Sequence, residues 1–141
     1  MNALARLLLL KIVLTLSVWC VPLLLFPAQW LQALGFPVPQ PILFLRLLGF
    51  AYAALVLGYA LGWRAARRGE YPASAVSVGI VSNGGACVLL LFAALDRAWA
   101  EWGAVAQAIM WGSLFGTGLI SVGLAALGRR HAPVQAPDAP R

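Results

Sequence analysis

Four apolar runs, each about as long as a bilayer is thick, decide what this chain can fold into. They cover roughly Leu7–Phe26, Ile42–Trp63, Pro72–Leu95 and Ala104–Leu127. A helix crosses the ~30 Å hydrocarbon layer in about 20 residues. Lipid offers no partner to backbone amides and carbonyls, so a crossing segment must satisfy them within a helix or a closed barrel. The runs lack the apolar–polar alternation of barrel strands, which leaves helices. Composition closes the other routes. Charged residues make up 10% of the chain, against about 25% in ordinary soluble domains. That is too little to wet a soluble domain of this size, and an apolar content of 62% excludes a disordered chain or a coiled coil. The sequence therefore predicts an all-α membrane protein, a four-transmembrane-helix bundle spanning 1–131. The polar, proline-rich segment 132–141 reads as a disordered cytoplasmic tail.

The net charge of +6 is distributed, not diffuse. Arg6 and Lys11 sit at the start of the first run, and Arg64, Arg67 and Arg68 follow the second. Arg129, Arg130 and Arg141 follow the fourth. The segment after the third run carries Asp96, Arg97 and Glu101, and the one after the first carries no charge. Four crossings bring all the basic segments to one side, so both termini are expected in the cytoplasm of a multi-pass inner-membrane protein. The same placement reads the basic balance as topology and attraction to anionic membrane lipids, not as nucleic-acid binding. The first run is expected to remain as a span and not to be cleaved, because Lys11 interrupts it and no small-x-small site follows. Pro22 predicts a kink, and Pro27 an end. Ala28 to Leu34, with Trp30, reads as an interfacial anchor stopped by Gly35, and Pro37 to Pro41 as a stiff connector.

Polar residues inside the bilayer are the candidate functional positions. Lys11 is expected to snorkel to the near headgroups. Arg46, one turn inside the outer boundary, could reach headgroups, pair with Asp96 or Glu101, or hold an anionic ligand. With Tyr52 and Gln107 it would line a pocket open to the outer face. Asn83, near the middle of the third span, is expected to bond across helices or to contact a ligand. Gly58 and Gly62, and Gly112 and Gly116, are GxxxG pairs suited to close helix packing, as are Ser113 and Thr117 on an adjoining stripe. No acidic residue or histidine lies in a span, which weighs against a cation-coupled transporter and against helical haem ligation. Cys20 and Cys87 stand alone, so no metal set is expected, and without a P-loop, G-x-S-x-G or H-E-x-x-H pattern no catalytic residue is expected either.

One stretch carries a family likeness. Pro22-Leu-Leu-Leu-Phe-Pro-Ala-Gln-Trp-Leu-Gln-Ala-Leu-Gly35, a proline-rich link, and Leu45-Arg-Leu-Leu-Gly49 opening the second span resemble the DoxX-like group of small four-helix membrane proteins. The resemblance implies a membrane subunit, associated in a few members with quinone-linked sulfur oxidation, and admits quinone as a bound cofactor. Three functions follow as expectations. The first is a non-enzymatic accessory or structural subunit, with a membrane-protein partner or a second copy of itself. The second is a lipid- or quinone-binding protein with an outer pocket. The third is a small transporter or channel acting as an oligomer.

Overall fold

The computed structural model describes residues 2–131; the predicted tail, 132–141, lies outside them. Every regular element among the described residues is helical. The first span is broken into α1 (Ala3–Thr15), a π-helical turn (Leu16–Cys20) and α2 (Val21–Leu25). A short α3 (Ala28–Ala33) follows, then α4 (Leu43–Arg67), α5 (Ala73–Leu95) and α6 (Ala104–His131). Four segments are long and apolar enough to cross a membrane: Ala3–Leu25, Leu43–Arg67, Ala73–Leu95 and Ala104–Arg129. In each of the last three, 11% of the most apolar window is buried, so most of that apolar surface is left for lipid.

The helices outrun the apolar runs at their basic ends. α4 continues through Arg64 to Arg67, whose charges are exposed and favourably placed at a helix C-terminus. At the start of α1, Asn2 accepts a hydrogen bond from the Ala5 amide (2.8 Å) and donates to the Ala66 carbonyl (3.1 Å). One residue thus caps the first helix and ties it to the end of α4. The kink expected at Pro22 is taken up just before it. The Val21 amide bonds to the Leu16 carbonyl, one residue further back than in an α-helix. This widened turn makes room for a proline ring that has no N–H to give.

The buried core lies toward the end of the bundle that carries the basic segments. It joins Leu4 and Leu8 of α1, Tyr59 and Ala66 of α4, Val76 of α5 and Leu124 of α6. Small residues bring the helices together there. A Cβ at Gly62 would stand 2.3 Å from the Ala75 Cβ, and one at Gly79 would stand 2.5 Å from Leu124 Cδ1. Of the two GxxxG pairs, only Gly62 packs this way. A Cβ at Gly58, Gly112 or Gly116 would meet nothing within 4 Å. Thr117 donates to its own helix at Ser113 O (2.7 Å), and Ser121 makes the crossing, to Ile80 O (3.2 Å).

At the opposite end the two connecting segments interlock. α3 ends at Gly35, with φ at +87°, and the carbonyls of Leu34 and Gly35 accept from the amides of Ala106 and Gly103 (both 3.1 Å). These are amides that the first turn of α6 leaves without helical acceptors. The Cα of Gly103 lies so close that a Cβ on Gly35 would come within 2.4 Å of it. Trp99 is buried edge-on against Trp111, and Phe36 meets Trp102 edge-on.

Candidate functional site: a buried ammonium between helices

Lys11 follows Leu4 and Leu8 on the inward stripe of α1, at the i, i+4, i+7 positions. The stripe decides its environment. Lys11 is 7% exposed, and its ammonium donates to Asn83 Oδ1 on α5 at 2.7 Å. It also lies 4.5 Å from the centroid of the Tyr59 ring on α4, over the negative face of the π-system. The expected escape to the headgroups does not occur, because the face that carries Lys11 is the one closed by α4 and α5.

Asn83, 4% exposed, is engaged on both sides of its amide. The oxygen accepts a hydrogen bond from the lysine ammonium, and the nitrogen donates to Gly79 O, one turn back, at 2.5 Å. Beside it, the Ser82 and Tyr59 hydroxyls share a hydrogen bond of 2.7 Å. Three helices thus meet through Lys11, Tyr59, Ser82 and Asn83, and Ser121 of α6 joins the next turn of α5 at Ile80. The bond that the sequence assigns to Asn83, one reaching across helices, is present with Lys11 as its partner.

The electrostatics of the cluster are one-sided. An ammonium has three protons to donate, and one is used on Asn83. The ion pair of the described residues is Arg68 with Glu70, which is exposed and makes no hydrogen bond to the cluster. Lys11 is therefore held by an amide dipole and an aromatic quadrupole. Such a group can bind helices together or offer protons to an acceptor. Among the described residues no trio of His, Cys, Asp or Glu that could hold a metal gathers.

The outer pocket expected from Arg46, Tyr52 and Gln107 is replaced by three separate arrangements. Arg46 donates to the carbonyls of Leu23 (2.5 Å) and Phe26 (2.7 Å), closing the C-terminal end of α2, where the last carbonyls of a helix lack amides. Two of the five guanidinium donors are engaged in this way, and neither Asp96 nor Glu101 is a partner. Tyr52 stacks on Trp19 with centroids 5.8 Å apart. Gln107 donates to Ala100 O (3.0 Å) and Trp102 O (2.8 Å), bracing the segment before α6. Among the described residues no hydrogen bond or ring contact joins any two of the three.

Tyr59 and Ser82 carry no sequence signal of their role in the cluster. A hydroxyl in a long apolar helix gives no sign of its direction, and Tyr59 looks like any interfacial or core aromatic. The signal that could have placed Lys11 was its register with Leu4 and Leu8. Against known proteins, no family model, no curated sequence and no solved structure matches this chain.

Proposed function

We propose that this chain is a non-enzymatic accessory subunit of the inner (plasma) membrane, with both termini in the cytoplasm, that seats a second transmembrane helix on α6. The observation that carries this reading is the outward glycine pair. Gly112 and Gly116 have open space where their Cβ atoms would be, and Trp111 and Phe115 beside them are exposed. In lipid, a GxxxG face of this kind lets another helix approach backbone to backbone, and the association is driven by packing. The polar residues of the spans support the same reading. Lys11, Arg46, Asn83 and Ser121 are spent on fastening helix to helix, and the resemblance to the DoxX-like group also points toward a subunit. The lipid- or quinone-binding alternative draws less support at the outer face, since Arg46, Tyr52 and Gln107 are each committed elsewhere.

The test is native mass spectrometry of the full chain released from membranes in a mild detergent. The wild type is expected as a homo-oligomer or a stoichiometric complex. The paired substitution Gly112→Leu, Gly116→Leu is expected to reduce it to a monomer with an unchanged unfolding midpoint. A wild type that is monomeric and alone overturns the reading, as does a doubly substituted chain that keeps its partner.

A further inference from the structure

On the face between α4 and α5 a groove of about 390 Å³ opens sideways toward lipid. Its walls are small and apolar, with Ala54, Gly58, Leu61 and Ala65 on α4 and Ala75 and Val78 on α5. From Ala54 to Ala65 it follows α4 for about 16 Å at 1.5 Å per residue. Gly58 leaves its middle unfilled. Toward the basic end of the bundle, the contact of Gly62 with Ala75 narrows it.

The mouth at that end is built of donors. α5 starts after Pro72 with no side-chain cap. The amides of Ser74 and Ala75 have no acceptor among the described residues, and neither has the exposed Ser74 hydroxyl. A 23-residue helix therefore points its uncapped N-terminus into the groove's mouth, with the positive end of its dipole foremost. Arg68 continues the face of Leu61 and Ala65 at i+7, and Arg64 lies one turn beyond Leu61. Both arginines are exposed. Arg64 makes no ion pair among the described residues, and Arg68 bonds Glu70 at 2.8 and 3.2 Å. An exposed pair of that kind is weak and can be exchanged for a phosphate.

The geometry points to an anionic-phospholipid site here, with one acyl chain in the groove and the phosphate at the N-terminus of α5 between Arg64, Arg68 and Ser74. The charge decides the occupant. An apolar chain suits the walls, and a negative head suits an uncapped helix start that follows the arginine-bearing end of α4 by a short turn. The site lies on a different face from Gly112 and Gly116 and stands independently of the accessory-subunit reading.

The experiment uses delipidated full-length protein mixed with phosphatidylglycerol or phosphatidylcholine in detergent, read by native mass spectrometry. The wild type is expected to retain one phosphatidylglycerol in preference to phosphatidylcholine by about 30-fold, given about a kilocalorie for each of the two arginines. Arg64→Gln with Arg68→Gln is expected to remove the preference. Gly58→Leu is expected to remove the lipid while the unfolding midpoint of the lipid-free protein is kept, since its side chain enters open space. Equal retention of the two lipids by the wild type overturns the proposal. So does full retention by Gly58→Leu, or displacement of the lipid by soluble glycerol phosphate at the same concentration.

Discussion

Lys11 shows what one residue's register can do. Its partner is a neutral amide, so removing either side has an unequal cost. Asn83→Leu leaves a buried ammonium with no acceptor and is expected to cost about 2–4 kcal/mol. Lys11→Met leaves a carbonyl oxygen unsatisfied and is expected to cost about 1–3 kcal/mol. The pair Lys11→Met, Asn83→Leu replaces both by apolar groups and is expected to return within about 1 kcal/mol of the wild type. Denaturant titration in detergent measures the cycle, and simple additivity would show that the 2.7 Å bond carries no coupling. The polarity of Asn83 was legible in the sequence because an amide in hydrocarbon must find a partner. The identity of that partner was not. Snorkelling and burial differ only by a rotation about the axis of α1, and a nearly uniform apolar helix gives little indication of that angle.

Among the elements, three helices end in one motif. After α3, α4 and α5 a residue with positive φ turns the chain: Gly35 at +87°, Gly69 at +84° and Arg97 at 55°. In each, the next amide reaches back to close the helix: Phe36 to Leu31 O, Glu70 to Ala65 O and Ala98 to Ala93 O. Glycine takes this backbone without a Cβ penalty, whereas arginine does not. Arg97→Gly is expected to raise stability by about 0.5–1 kcal/mol. A thermal midpoint that falls would mean that the arginine side chain does more than occupy the turn. The stop at Gly35 was legible from the glycine itself. The stop at Arg97 was not, because nothing in the residue type announces a left-handed backbone. The bend near Pro22 was legible as a kink, but the widened turn before it depends on how the π-helical segment seats against α4. Arg46 shows the same limit, since its partners are carbonyls that exist only once α2 has ended.

At the scale of the whole molecule, the four spans were legible because transfer into lipid is summed along the sequence, run by run. The same sum brings Arg6, Arg64, Arg67, Arg68 and Arg129 to one end of the bundle, each of them exposed. That end is expected in the cytoplasm. Reporter fusions to the C-terminus and at exposed Ala100 should therefore read opposite sides, and equal signals would remove the four-crossing arrangement. Which helix faces meet, and hence the groove along α4 and α5, was not legible. Gly58 and Gly62 look alike in sequence, yet one lines a groove and the other closes a contact.

The interlock of Gly35 with Gly103 bears on the order of assembly. The first amides of the last helix find their acceptors on a segment synthesised about 70 residues earlier. The fourth span can cross the bilayer on hydrophobicity alone, but its N-terminal end stays unclasped until the carbonyls of Leu34 and Gly35 are in place. The rim opposite the basic segments is therefore a late, long-range closure in folding, with a loop-closure cost that local helix formation does not share. Pulled from the C-terminus, α6 would come free only by breaking this clasp, so the loops of this small bundle act as its latch.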